Sequence, residues 1–158
     1  MAKDTPSMAK NKIRRSLLAI IDPPPVKGEI ETLWAYFQSC CAYCGVAIPR
    51  TSRTGHIDHV ISAALGGTNS IYNHVLSCAR CNGDEKREEP WETFLGKKVT
   101  NPAIAAERHS AISAWLARAT APSISPAVRA QVNAIISEAT NSFDTSVKAI
   151  RALRKGGT

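Results

Sequence analysis

Apolar residues recur at three- and four-residue steps through most of this chain, and the pattern breaks between residues 40 and 98. Ile13, Leu17, Leu18 and Ile21 share one side of a basic helix over 11–21. Pro23-Pro24-Pro25 ends it as a stiff linker. Ile30, Leu33, Trp34 and Phe37 predict a second helix over 29–39. A third, from Pro102 to about Ala119, carries Ile104, Ala105, Ile112, Trp115 and Leu116 on a broad apolar side. Ser125 then Pro126 reads as an N-cap and first helical position. From Val128 to Leu153 the stripe continues as one long helix, or two broken near Asn141-Ser142, and it reads as core. Residues 1–9 read as a disordered lead, and the tail from Arg151 to Gly157 as frayed.

The middle follows another rule. Gly55 to Ile61 alternates and ends in β-branched residues, which predicts a strand. Successive strand residues point to opposite faces, so His56 and Asp58 should share one. Asp58 and His59 can reach one site only if the strand ends or bends there. The loop 62–69, with Gly66-Gly67, makes such a bend plausible. Asn73 to Ser77 predicts a second short strand, and Asn82 the start of a helix to about Glu89. The local order is strand, loop, strand, helix. Three regions follow: a basic arm and linker (1–28), a central module with its leading helix (29–98), and a helical extension (99–158).

A formal charge of +7 favours an anionic partner, nucleic acid first. The basic excess sits on the flanks, since residues 40–98 are nearly neutral. No stretch approaches a membrane span, and the apolar run Leu17–Ile21 is too short for a secretion signal, so the chain reads as cytoplasmic. Five cysteines in a reducing compartment point to metal ligation before disulfides.

Four of them form two pairs, Cys41-x2-Cys44 and Cys78-x2-Cys81, separated by 33 residues. Each pair can bend as a knuckle and present two thiolates, and four thiolates complete a closed tetrahedral zinc site. A closed site has no open position, so this zinc would be structural and would contribute to folding. Cys40 is left over as a spare buried thiol.

The motifs Cys-Ala-Tyr-Cys-Gly (41–45), His-Ile-Asp-His-Val (56–60), Gly-Gly (66–67), Asn73 and Cys-Ala-Arg-Cys-Asn (78–82) resemble the zinc-containing branch of the HNH endonucleases. The resemblance runs to about Leu95. It implies an α+β, mostly helical protein: a small ββα-metal module with a four-cysteine zinc site, flanked by N- and C-terminal helices. It implies a hydrolase that cuts DNA to 5′-phosphate and 3′-hydroxyl ends. His59 matches the general base, a task that suits an imidazole because it titrates near neutrality. Asp58 and Asn82 match the ligands of one catalytic divalent metal, Mg²⁺ or Mn²⁺, which prefers oxygen donors. Asn73 matches the central asparagine, expected to hold the loop after His59 in shape. Asn82 stands where other members carry the final histidine, an H-N-N variant. His56 matches only part of the family and is evenly balanced between a functional and a packing role. Lys86 follows Asn82 by four residues, where three is common in the family.

Outside the motif, Lys97, Lys98 and the N-terminal basic cluster (Lys10, Lys12, Arg14, Arg15) are the better candidate phosphate contacts. Arg80, Lys86 and Arg87 could join them, although the mixed charges of 84–89 read better as a solvated helix face. His74 and His109 read as ordinary surface or satisfied histidines. The expected partner is double-stranded DNA. Cutting both strands would need two active sites, hence a homodimer or sequential nicks. The competing reading is a zinc-knuckle module that binds nucleic acid or protein without cutting. Such a module has no need of a carboxylate, an imidazole and an amide at 58, 59 and 82.

Overall fold

A computed structural model describes residues 5–62, 65–119 and 124–156. Its elements run α1 (Pro6–Ile21), α2 (Lys27–Tyr36), β1 (Gly55–His59), β2 (His74–Cys78), a π-helical turn (Arg80–Lys86), α3 (Trp91–Lys98), α4 (Pro102–Leu116) and α5 (Pro126–Gly156). The fold is α+β and mostly helical, as expected. Contacts divide it into two compact units, residues 24–123 and residues 1–23 with 124–158.

In the first unit, β1 and β2 pair antiparallel with Gly55 opposite Cys78 and His59 opposite His74. Among the described residues they are the whole sheet. Two strands alone are marginal in water, so the pair needs apolar cover. Leu33 of α2, Phe94 and Leu95 of α3, and Ile112 and Trp115 of α4 bury against Val75, Leu76 and Ile71. Trp115 is fully buried, and its indole N–H donates to the Ile71 carbonyl at 3.2 Å. Residues 102–116, in the expected C-terminal helical extension, therefore pack with the central module.

In the second unit, α1 packs on α5 and Lys10 pairs with Asp144 at 2.6 Å. Helix α1 starts at Pro6, capped by the Thr5 hydroxyl, so residues 6–9 are helical rather than disordered. Residues 1–4 lie outside the described residues. Helix α5 is continuous through Asn141-Ser142, its start capped by Ser125, and it extends through the expected frayed tail to Gly156, with Gly157 outside the described residues. Its stripe is only partly core. Ile136 and Thr140 are buried, while Val128, Ile135, Ile150 and Leu153 are exposed. Length limits the cover that α1 gives: its 16 residues span about 24 Å and the 31 of α5 about 46 Å at 1.5 Å per residue, which leaves the ends of α5 beyond it.

Candidate active site and metal centre

The first knuckle follows an isolated bridge between Cys40 and Ala47. The chain turns back through Gly45, whose φ of +74° is left-handed and favours glycine. Its N–H donates to the Cys41 carbonyl at 2.8 Å. The second knuckle joins the end of β2 to the π-helical turn. The four sulfurs of Cys41, Cys44, Cys78 and Cys81 lie within 4.8 Å of one another. Cys44 Sγ and Cys78 Sγ are 3.8 Å apart, far longer than a disulfide. Four sulfurs about 2.3 Å from a tetrahedral zinc would sit about 3.8 Å apart, so the donor set fits that ion. Burial and the neighbouring thiols push the Cys81 thiol up, and burial pushes Cys44 up to about 11. A divalent cation removes that cost by favouring the thiolates. Cys40 is only half-buried and points its sulfur at the Gln38 carbonyl, 3.5 Å away, so it is less enclosed than expected.

Strand β1 ends at His59, two residues short of the expected Ile61. Val60 N–H still donates to the Asn73 carbonyl at 2.9 Å. The next N–H, from Ile61, instead donates to the Asn73 side-chain Oδ1 at 3.0 Å. Asn73 Nδ2 donates back to the Ile61 carbonyl (2.9 Å) and to that of Thr68 (2.8 Å). One buried amide thus replaces the ladder and holds both ends of the loop after His59. Gly67 allows this closeness, because a Cβ there would collide with the Ile61 carbonyl and crowd Asn73 Nδ2.

With the strand ended, Asp58 and His59 both line one cleft of about 370 Å³, together with Ile57, Ser62, Asn82, Arg87 and Glu88. The structure thus brings together the three residues expected to do the chemistry. His56 is exposed on β1 and is not among the residues lining the cleft.

Asp58 is buried, and its Oδ2 accepts from the Tyr43 hydroxyl at 2.8 Å and pairs with Lys86 Nζ at 3.1 Å. Burial raises the carboxyl above its usual range, against the pull of the Lys86 ammonium. Lys86 Nζ also donates to the His59 carbonyl at 3.0 Å and is only 4% exposed. It therefore braces the end of β1 from beneath, and the expected phosphate contact at Lys86 is not where the structure puts this side chain. The four-residue step from Asn82 has a geometric reason: a π-helical turn holds about one more residue than an α-helical one. That turn begins at Arg80, before Asn82, because the second knuckle is itself helical.

His59 Nε2 lies 3.0 Å from Asn69 Oδ1. A carbonyl oxygen only accepts, so in this contact Nε2 is the donor, which in a neutral imidazole leaves Nδ1 as the acceptor. The His59 ring also packs on His74, with centroids 4.0 Å apart. His74 is the satisfied rather than the surface kind of histidine: it is buried, and its Nδ1 bonds the Ser70 carbonyl at 2.7 Å. Burial, with the His59 charge adding to it, pushes His74 down to about 4.

Sequence reading missed Tyr43, Asn69 and His74 as members of this surround. The position of Tyr43 inside the first knuckle and the register of His74 opposite His59 were the available signals. Asn69 carried none beyond its place in the loop. Of the other expected DNA contacts, three have acidic partners: Arg80 and Lys98 share Glu85, and Lys97 pairs with Glu89.

Residues 41–91 match the family model of HNH endonucleases, the stretch that holds both knuckles, the strand pair and the cleft. The resemblance read from the motifs is borne out over that stretch. No curated protein matches the chain.

Proposed function

We propose that this chain, with its HNH endonuclease module at residues 41–91, cuts DNA by metal-dependent hydrolysis with His59 as the general base. The observation that carries the reading is the convergence of Asp58, His59 and Asn82 on one polar cleft. Asp58 and Asn82 offer oxygen donors suited to a hard divalent cation, Mg²⁺ or Mn²⁺. Bound there, such an ion would supply charge neutralisation at the phosphate and the departing oxygen. The four cysteines would hold structural zinc.

The protein's own groups supply the rest. His59 Nδ1, freed by the Nε2 bond to Asn69, takes a proton from water. The water oxygen bonds to phosphorus as the P–O3′ bond breaks. The 3′ oxygen then gains a proton, leaving 3′-hydroxyl and 5′-phosphate ends. Tyr43 and Lys86 fix Asp58, and Asn73 fixes the loop that carries the His59 partner. Duplex DNA is the proposed substrate.

The test is supercoiled plasmid with zinc-loaded protein and Mg²⁺ or Mn²⁺. Nicked or linear plasmid is expected, and His59→Ala should abolish it while keeping the wild-type fold by circular dichroism. A non-cutting zinc module would leave the plasmid supercoiled with either protein.

A further inference from the structure

We propose that Arg87 is the arginine that grips the scissile phosphate, and that the fold holds its backbone in a strained turn to present it. The inference rests on the nuclease reading and deepens it.

Three observations converge on this residue. Lys86 to Glu89 form a tight turn closed by the Glu89 N–H to Lys86 carbonyl bond at 2.9 Å. Arg87 is its first central residue, with φ 49° and ψ −121°. That is the type II′ geometry, whose first central position is dominated by glycine because a Cβ is disfavoured at positive φ. An arginine here carries strain that glycine would not, and such strain gathers at functional sites.

Second, this turn puts Arg87 on the wall of the cleft with Asp58, His59 and Asn82. Third, its charge is uncommitted. Arg80, Lys86, Lys97 and Lys98 each have a carboxylate partner, whereas Arg87 has no ion pair among the described residues. Glu88 shares the wall, so an incoming phosphate meets a carboxylate there as well as the guanidinium. Ser62, which lines the same cleft, has a buried Oγ with no hydrogen-bond partner among the described residues.

A guanidinium suits the task. Its planar fork binds two phosphate oxygens at once and stays charged at every working pH. Charge builds on those oxygens as water attacks, so a fixed cation favours the transition state over the bound substrate.

Two variants of the full zinc-loaded chain test this, Arg87→Gly and Arg87→Lys, by cleavage rate on a fluorescent duplex oligonucleotide and by thermal melting. Glycine suits the turn, so Arg87→Gly should melt at or above the wild-type temperature while cutting roughly 100-fold more slowly. Arg87→Lys should cut at an intermediate rate. Arg87→Gly cutting within about threefold of wild type would overturn the inference alone. So would a lower melting point together with slow cutting, since Arg87 would then be holding the fold. If wild type itself makes no cuts, the nuclease reading falls and takes this inference with it.

Discussion

Asp58 is buried among groups that each press on its charge. Burial favours the neutral carboxyl, while Lys86 and the Tyr43 hydroxyl favour the carboxylate. Tyr43 also lies between Cys41 and Cys44 of the sulfur cluster, and its carbonyl accepts from Arg108 Nη1 of α4 at 2.7 Å. The knuckle is thus tied on one side to the candidate metal ligand and on the other to the helical scaffold. Tyr43→Phe removes one buried hydrogen bond and nothing else in volume. It should cost about 1 kcal/mol of stability and slow cleavage by loosening Asp58. Urea unfolding and cleavage rate check both, and an unchanged rate would show that the bond does not position the carboxylate. His74 sets a pH dependence. Folded, it takes up a proton only near pH 4, against the ordinary 6.5. Between these values the unfolded chain binds the extra proton. Stability is therefore whole above about pH 6.5 and falls as pH drops towards 4, by roughly 3 kcal/mol at the limit. His74→Leu should flatten that slope in zinc-saturated melts at pH 7 and pH 5, and an equal slope in both proteins would contradict the assignment.

At the level of elements, the loop after β1 depends on one amide and one glycine. Gly67→Ala would force a methyl against the carbonyl that Asn73 holds. A loss of about 2 kcal/mol or more is expected, with slower cleavage, because packed backbone cannot yield cheaply. An alanine variant with wild-type melting and cleavage would show that the loop is not held this way. Much of this level was legible beforehand. Spacing gave the knuckles, and alternation gave the strand pair to within two residues. Helical periodicity gave α2, α4 and α5 apart from their ends. Less legible were points that depend on long-range contacts. Lys86 looked like a surface cation because nothing in 84–89 reveals that a π-helical turn rotates it under β1. His74 looked unremarkable because its burial follows from the register with His59. The exposure of Val128, Ile150 and Leu153 near the ends of α5 goes with the shortness of α1.

On the scale of the whole molecule, the sulfur cluster joins the two halves of the central unit, since Cys41 and Cys44 precede β1 while Cys78 and Cys81 follow β2. The sheet it closes has two strands and a modest core. Zinc removal by a strong chelator should therefore lower the melting temperature of residues 24–123 sharply and abolish cleavage, both restored by zinc before Mg²⁺ is added. A chelated protein with unchanged melting would separate the cysteines from folding. Among the described residues no helix is long and apolar enough to cross a membrane. The net charge of +7 suits a polyanion, yet Arg80, Lys86, Lys97 and Lys98 are paired with acids, while Arg87 has no ion pair among the described residues. On the proposed reading the flanking excess supplies the general electrostatic attraction, and the cleft the chemistry.

The most direct measurement is single-turnover cleavage of an end-labelled duplex by the zinc-loaded protein, with the ends of the products identified. Wild type with Mg²⁺ or Mn²⁺ should give nicks that DNA ligase reseals, which requires 5′-phosphate beside 3′-hydroxyl. His59→Ala, folded and zinc-loaded, should give none. Intact duplex with wild type across both metals, or equal cutting by the two proteins, would contradict a hydrolytic site built around His59.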